Sequence, residues 1–124
     1  MRETIKAFKA LSDETRLRIL NILLERECCV CEVMQALDIS QTRASRNLAV
    51  LCEAGFLRLR KDGRWSFYSI DKDSTNECLT GLVRAVDKAL QGNKTVEQDR
   101  ERLRKAVQVG PSCAEKMRGE KTNA

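Results

Sequence analysis

The sequence predicts a mainly α-helical fold with one small β-hairpin, and three observations support this. Apolar residues recur at steps of three and four through most of the first 53 residues, which is typical of helices with one buried face. Between residues 56 and 70 the apolar residues alternate instead, around the turn signal Asp62-Gly63. Helical spacing returns between residues 74 and 91. The predicted order is four helices, a hairpin and one more helix.

Two helices begin the chain. The first, over residues 2–11, carries Ile5 and Phe8 on one face. Ser12 has a side-chain oxygen that can cap a second helix, predicted from about residue 13 to residue 25, whose acidic first turn suits the helix dipole. Leucine and isoleucine residues lie on most sides of this second helix, so it is predicted to be the core helix.

A tight turn joins the third and fourth helices. The third helix is predicted from about Val30 to Leu37, and Ser40 can cap the fourth after the turn Asp38-Ile39-Ser40. The fourth helix turns its apolar residues inward and leaves polar residues outside near its N-terminal end. Gly55 is predicted to end it as a left-handed C-cap.

The hairpin is predicted from strands over residues 56–60 and 64–70, with Lys61-Asp62-Gly63 as its basic tip. The helix that follows, between about residues 74 and 91, has an apolar stripe along one side. The hairpin does not use this stripe. The last helix is therefore expected to need a partner.

The chain is predicted to divide between residues 91 and 92. Residues 1–91 hold the elements described above, and 124 residues leave room for one domain and a tail. Residues 92–124 form a polar extension, with a marginal helix to about residue 109, a break at Gly110-Pro111 and a mobile tail. No stretch is apolar enough to span a membrane and no secretory signal is present, so we expect a cytoplasmic protein with no membrane partner.

Positive charge is concentrated in one segment. The net charge is +5, and between Ser40 and Trp65 six basic residues face two acidic ones, which suits a polyanion. Helix, tight turn, capped helix and basic hairpin together predict a winged helix-turn-helix that reads double-stranded DNA through the major groove. The residues predicted to contact DNA are Ser40, Gln41, Thr42, Arg43, Ser45, Arg46 and Asn47 on the fourth helix, and Lys61 and Arg64 at the hairpin tip.

Three thiols, Cys28, Cys29 and Cys31, lie at the start of the third helix. Thiolates bind soft ions, and the chain has no His for an imidazole site and no second Cys-x-x-Cys to complete a structural zinc site. On a regular helix Cys28 and Cys31 share a face, whereas Cys29 and Cys31 point about 200° apart. We therefore predict that an ion bound to Cys29 and Cys31 distorts the first turn, and that the helix N-terminus lowers the thiol pKa.

Five segments together resemble the ArsR/SmtB family of metalloregulatory repressors over roughly residues 5 to 90. They are Leu11-Ser12-Asp13-Glu14-Thr15-Arg16-Leu17-Arg18-Ile19-Leu20, Glu27-Cys28-Cys29-Val30-Cys31-Glu32-Val33, Ile39-Ser40-Gln41-Thr42 with Ser45-Arg46-Asn47-Leu48, Gly55-Phe56-Leu57, and Gly63-Arg64-Trp65-Ser66-Phe67-Tyr68. The resemblance implies a homodimeric repressor that leaves its operator DNA when an ion binds. It also implies a dimer interface on the first and last core helices, formed by Ile5, Phe8, Leu79, Leu82, Val83, Val86 and Leu90.

The resemblance also implies a class of inducer. Cys29 and Cys31 match the sensing motif for As(III) and Sb(III) in arsenical resistance repressors, and a related motif serves Cd(II) and Pb(II). Met34 stands where a third cysteine is expected, so the third ligand is open between Cys28 and, less favoured, Cys113. We expect no permanent cofactor and no small organic substrate.

Two alternatives remain beside an ion-released repressor. Adjacent thiols could form a disulfide or a sulfenic acid, which would make the chain a thiol redox-sensing repressor. Cys28-x-x-Cys31 could instead serve an oxidoreductase or arsenate reductase, but the sequence lacks the strand-loop-helix context for it. The chain is therefore predicted not to be an enzyme.

Overall fold

A computed structural model describes residues 1–108. Its elements, in order, are α1 (Arg2–Leu11), α2 (Glu14–Glu25), α3 (Val30–Leu37), α4 (Gln41–Glu53), β1 (Leu57–Asp62), β2 (Trp65–Ile70), α5 (Glu77–Ala89) and α6 (Lys94–Lys105). The predicted mainly helical fold with one hairpin is confirmed. Within residues 1–108, no helix has the length and apolar character needed to cross a membrane.

Helix α2 is the core helix, as predicted. Its Ile19, Leu20 and Ile22 are fully buried, and α3, α4, α5 and α6 all pack around it. The cap differs from the prediction: Asp13, not Ser12, is the N-cap, and its carboxylate accepts the backbone N–H of Arg16. The Ser12 hydroxyl instead donates to a carbonyl of α1 because Ser12 is the C-cap residue of that helix.

The turn between α3 and α4 has a left-handed residue, Asp38, at φ 55°. Ser40 then caps α4 by accepting the backbone N–H of Arg43, as predicted. Gly55 follows the end of α4 at φ 94°, and a Cβ there would lie 3.0 Å from a methyl group of Leu79. Only glycine therefore allows both this backbone conformation and the close approach of α5.

The hairpin register runs from Leu57 paired with Ile70 to Asp62 paired with Trp65. The first strand is longer than predicted and the loop is the two residues Gly63 and Arg64, because Asp62 pairs with Trp65 instead of turning. The segment before α3 joins the hairpin's second strand: Cys28 and Tyr68 exchange two backbone hydrogen bonds of 3.0 and 2.8 Å. The start of α3 is thus tied directly to the wing.

Helices α1 and α5 each have apolar side chains that the rest of the chain does not fully cover. Ile5 and Phe8 of α1 are about half exposed, while Ala7 and Ala10 form the buried face of that helix. Helix α5 has no fully buried residue, although Leu79, Leu82 and Val83 pack partly on the core. Assigning these surfaces to a dimer interface stays a prediction.

Helix α6 is better anchored than its polar composition indicated. The sequence predicted a marginal helix, but Val96, Asp99 and Leu103 are buried against α2 and α3. Asn93 caps it by accepting the N–H of Val96. The domain division between residues 91 and 92 stays a prediction, and the tail predicted to be mobile lies outside the described residues from residue 109 onward.

Candidate cysteine site and nucleic-acid interface

Cys29 and Cys31 form a buried thiol pair. Their Sγ atoms lie 3.2 Å apart, and the two residues are 3% and 0% exposed. Helix α3 begins at Val30, so Cys29 is the N-cap residue with extended backbone, at φ −84° and ψ 170°. The predicted separation of about 200° around a helix therefore does not apply, because Cys29 is not helical. The prediction that a bound ion distorts the first turn stays a prediction. The thiols meet while the helix is regular.

Glu32 fixes the geometry of the pair. Its carboxylate accepts the backbone N–H of Cys29 at 3.0 Å, and its own backbone N–H faces the Cys29 sulfur, which completes a capping box. Arg26 neutralises the buried carboxylate through a 2.7 Å ion pair. In a tetrahedral site with metal–sulfur bonds of about 2.3 Å, neighbouring sulfurs lie about 3.8 Å apart. The observed spacing is thus close to what chelation of a soft ion needs.

The wing and the segment after α6 enclose the thiols. Trp65 and Phe67, on one face of β2, pack against the pair and stack on each other with ring centroids 6.0 Å apart. On another side the carbonyl oxygen of Val107 lies 3.8 Å from the Cys31 sulfur and accepts a 2.8 Å hydrogen bond from Gln35. Sequence reasoning did not select these residues. The alternation that places Trp65 and Phe67 on one face was the available signal.

Cys28 does not belong to this cluster. It precedes the helix, its side chain packs in the main core, and its thiol lies 3.6 Å from the carbonyl of Arg26. The prediction that Cys28 and Cys31 share a helix face is therefore wrong, because neither Cys28 nor Cys29 is helical. Met34 is also in the main core, and Cys113 lies outside the described residues.

Two further cysteines also lie outside the thiol pair. Cys52 is half-buried and packs on the core, but Cys78 is exposed because the first turn of α5 faces outward. Across residues 1–108, no group of three or more Cys, Asp or Glu side chains is arranged to hold a metal ion. The protein ligands at the candidate site are thus two thiols within this part of the chain.

The environment raises the pKa of the Cys29 and Cys28 thiols. The hydrogen bond shared with Cys31, reinforced by burial, raises the pKa of Cys29 strongly and outweighs the lowering by the backbone N–H of Glu32. Burial raises the pKa of Cys28 to about 12. The expectation of a lowered pKa at the helix N-terminus is therefore wrong for Cys29. Ion binding must displace a proton from this thiol.

Most of the predicted DNA-reading residues are on the outer surface of α4. Thr42, Arg43 and Arg46 are exposed, and Gln41 is half-buried with its amide donating to the hydroxyl of Ser45. Arg43 also donates to Thr15 at 2.9 Å. The Ser40 hydroxyl oxygen accepts the backbone N–H of Arg43 as the helix cap, so it already has one hydrogen-bond donor within the protein.

Asn47 faces the protein, although it was expected to face outward. It is 8% exposed, accepts a 3.0 Å hydrogen bond from Arg16, and donates to the carbonyl of Arg43. Arg16 in turn donates to carbonyls at the end of α1. Asn47 thus joins α4 to α2 and α1, because its amide supplies the acceptor that the Arg16 guanidinium needs.

The wing tip presents free positive charge. Lys61 and Arg64 are exposed, and neither forms an ion pair in the region from residue 1 to residue 108. Arg60, by contrast, pairs with Glu27 at 2.7 Å and stacks over the Phe67 ring. Arg58 pairs with Asp73. The hairpin therefore directs two unpaired cations outward and holds two others along its strands.

Comparison with known proteins finds similarity to regulators. Residues 13–58 match the bacterial regulatory protein family arsR. The chain is 51% identical over 67 residues to the arsenical resistance operon repressor of Escherichia coli, covering 53% of this chain and 57% of that protein. It is 31% identical over 81 residues to the arsenical resistance operon repressor of Bacillus subtilis, covering 64% of this chain and 77% of that protein. The first match spans less than two thirds of its relative.

Another relative and two solved structures are also similar. The cadmium resistance transcriptional regulatory protein CadC homolog of Staphylococcus aureus is 40% identical over 78 residues, which is 62% of this chain and 64% of that protein. HlyU from Vibrio cholerae superposes with a TM-score of 0.61 at 30% identity, covering 71% of this chain and 91% of that one. A homodimeric winged helix-turn-helix domain from Mycobacterium bovis gives a TM-score of 0.61 at 27% identity, covering 75% and 82%. The predicted winged helix-turn-helix fold is thus confirmed.

Proposed function

Because this chain belongs to the ArsR family of bacterial regulatory proteins, we propose that it is a transcriptional repressor whose thiol pair senses a soft ion. In this proposal a homodimer binds double-stranded operator DNA and releases it when Cys29 and Cys31 capture trivalent arsenic or antimony. The observation that carries the proposal is the buried thiol pair, with its sulfurs 3.2 Å apart at the start of α3. Soft sulfur ligands select such ions over hard cations.

DNA binding is supported by the outer surface of α4 and the wing tip. Thr42, Arg43 and Arg46 are exposed near the start of α4, where the helix N-terminus itself favours phosphate. Lys61 and Arg64 extend the same positive character to the wing. A helix in the major groove with a basic wing beside it is the docking arrangement that these side chains suit.

Coupling between the ion and DNA is proposed to pass through the wing. The thiols contact Trp65 and Phe67 on β2, and the residue before the pair, Cys28, is hydrogen-bonded to β2 at Tyr68. An ion that widens the sulfur separation from 3.2 Å toward about 3.8 Å is proposed to shift these rings or the start of α3. Either shift moves the wing relative to α4, and both must fit one DNA surface at once.

Dimerisation is supported by the open apolar surfaces of α1 and α5. Ile5 and Phe8 are about half exposed, and the stripe on α5 is only partly covered by the chain's own core. A related fold described as homodimeric supports the same arrangement. An operator with two-fold symmetry would then be read by two copies of α4.

Cadmium or lead is the second candidate inducer, and the similarity to a cadmium resistance regulator supports it. Thiol oxidation is supported by the 3.2 Å sulfur separation, since a peroxide could join the two sulfurs and leave as water. The raised pKa of Cys29 opposes this reaction, because the thiolate is the reactive form. Arsenic therefore remains the first proposal.

The test is an electrophoretic mobility shift on the DNA upstream of the chain's own gene, titrated with arsenite, antimonite, cadmium, lead and peroxide. We expect wild type to release DNA with arsenite, and Cys29→Ser and Cys31→Ser to bind DNA but not release it. Cys52→Ser is the matched control because this half-buried thiol is not in the cluster. Release of wild-type DNA only by peroxide, reversed by dithiothreitol, would replace the proposal with redox sensing.

A further inference from the structure

The thiol pair lies under two covers. Cys29 and Cys31 are 3% and 0% exposed, so any molecule or ion needs an opening before it can reach the sulfurs. One cover is the stacked pair of aromatic rings on β2. The other is the segment of residues 106–108 that follows α6, here called the strap, whose Val107 carbonyl oxygen lies 3.8 Å from the Cys31 sulfur. Access to the thiols therefore depends on which cover separates more easily.

The wing cover is held by backbone pairing and by side chains. Strand β2 pairs with β1 at six positions, and Tyr68 of β2 exchanges two further backbone hydrogen bonds with Cys28. The guanidinium of Arg60 lies 4.7 Å from the centre of the Phe67 ring and pairs with Glu27 at 2.7 Å. Moving this cover therefore breaks backbone hydrogen bonds, aromatic contacts and an ion pair together.

The strap is joined to α3 by one side chain. The amide of Gln35 accepts the backbone N–H of Val107 at 3.2 Å and donates to the carbonyl oxygen of the same residue at 2.8 Å. Gln35 also donates to the carbonyl of Cys31, which orients its amide. The Val107 side chain is 60% exposed and so adds little apolar burial. Segments with few buried apolar contacts and solvent-exposed hydrogen bonds are those that open locally.

We propose that the strap is the gate to the thiol pair and that Gln35 is the positioning residue that keeps it closed. Opening the strap breaks the two hydrogen bonds between Gln35 and Val107 and leaves the pairing of the wing intact. The inference goes beyond the proposed function, because it concerns how the sulfurs are reached and not what binds them. It assigns a role to the chain after α5, which lies outside the family match over residues 13–58.

Alkylation of the full chain with N-ethylmaleimide at fixed pH tests the gate without any ion. Tandem mass spectrometry of tryptic peptides measures the labelling rate of each cysteine. We expect Gln35→Met to label Cys29 and Cys31 about tenfold faster than wild type, because methionine has a similar length but cannot pair with Val107. Cys28 is the internal control: it is 0% exposed and packs in the main core, so its rate should rise only if the whole fold opens.

Two variants are matched controls for the two covers. Val107→Ala keeps both backbone groups that bind Gln35, so the thiol pair should be labelled within about twofold of the wild-type rate. Arg60→Ala removes the ion pair and the ring contact from the wing cover. It should also leave the labelling rate within about twofold of wild type, because the strap and not the wing is the part that opens.

Hydrogen exchange followed by NMR compares the two covers in the unmodified protein. The amide of Val107 reports on the strap because its N–H is bonded to Gln35, and the amide of Tyr68 reports on the wing because its N–H is bonded to the Cys28 carbonyl. After correction for intrinsic rates, we expect the Val107 amide to exchange at least about tenfold faster than the Tyr68 amide. This measurement does not depend on thiol reactivity.

Four results would overturn the inference. Gln35→Met could label the thiol pair at the wild-type rate, or Arg60→Ala could accelerate that labelling more than Gln35→Met does. The Tyr68 amide could exchange as fast as that of Val107. Labelling of Cys28 could rise by the same factor as that of the pair, which would show that Gln35 holds the whole fold and not a gate. The proposed function would stand in each case, since release of DNA by an ion is measured separately.

Discussion

Asp99 of α6 accepts two hydrogen bonds of 2.8 Å from the guanidinium of Arg18 on α2. A third, also 2.8 Å, comes from Arg102. Both arginines also form hydrogen bonds with the last turn of α3. Arg18 donates to the backbone carbonyl of Leu37, and Arg102 donates to that of Ala36. The buried carboxylate therefore organises two cations that satisfy α3 carbonyls just before the turn into α4.

Replacing Asp99 should destabilise the fold more than the loss of an exposed ion pair does. Asp99→Ala leaves the mostly buried Arg18 side chain without its carboxylate partner, and breaking a buried pair of this kind costs about 3 kcal/mol. Urea unfolding followed by circular dichroism measures the loss. Glu101→Ala on the same helix is the control, since its pairs with Arg104 and Lys105 are exposed and worth less than about 1 kcal/mol. Equal effects of the two variants would contradict the anchoring of α6.

Asn47 and Arg46 should separate stability from DNA binding. Asn47→Ala removes the acceptor for Arg16, so we expect a loss of about 1 to 3 kcal/mol in unfolding free energy. Arg46→Ala should leave stability within about 0.5 kcal/mol and weaken operator binding by about 1 to 3 kcal/mol. Thermal unfolding and fluorescence anisotropy on labelled DNA report the two quantities. A stable Asn47→Ala variant with lost sequence preference would instead identify Asn47 as a base-reading residue.

Charge on the α5 stripe should prevent dimerisation. Val86 is half-buried within a single chain and is not part of its core cluster, so Val86→Asp should leave the fold of each chain intact. The substitution places a carboxylate in the proposed dimer interface, where burying its charge is costly. Sedimentation should show a monomer whose operator affinity falls at least tenfold. Ala85→Asp, exposed on the side of α5 away from the stripe, adds the same charge and should stay dimeric. If both variants sediment as dimers, the interface lies elsewhere.

The sequence was sufficient to predict the helices and the hairpin, because the spacing of apolar residues in each element indicates which of its faces is buried. It was insufficient where a single residue decides a boundary. The angular argument treated Cys29 as helical, but Cys29 is the N-cap residue, so its sulfur lies beside that of Cys31 instead of on the opposite side of the helix. A capping box with cysteine as the cap residue is not a standard sequence signal.

Long-range contacts explain the other differences. Asn47 belongs to a polar surface pattern, and only the position of Arg16 on α2 turns its amide inward. Helix α6 is polar in composition, and its anchoring depends on Arg18, 81 residues earlier in the chain. The aromatic cover of the thiols likewise comes from a strand that lies far from them in sequence. None of these partners can be assigned from local periodicity.

The pH dependence of binding should distinguish arsenic from cadmium. Because the pKa of Cys29 is raised, this thiol is protonated at neutral pH. When arsenous acid binds, the thiol proton combines with a hydroxyl group of the arsenous acid and leaves as water, so no net proton is released to the solvent. When Cd(II) binds, the proton enters solution, so binding is favoured as pH rises.

We therefore expect cadmium affinity to increase at least about tenfold per pH unit between pH 6 and pH 8, and arsenite affinity to stay nearly constant. Titration calorimetry in buffers of different ionisation enthalpy counts the released protons directly. Cys52→Ser is again the control, since a thiol outside the pair should leave both profiles unchanged. If Cys29 were instead a thiolate at neutral pH, its bond to cadmium would release no proton, and arsenite affinity would fall as pH rises. That result would contradict the conclusion that burial and the hydrogen bond shared with Cys31 keep the Cys29 thiol protonated.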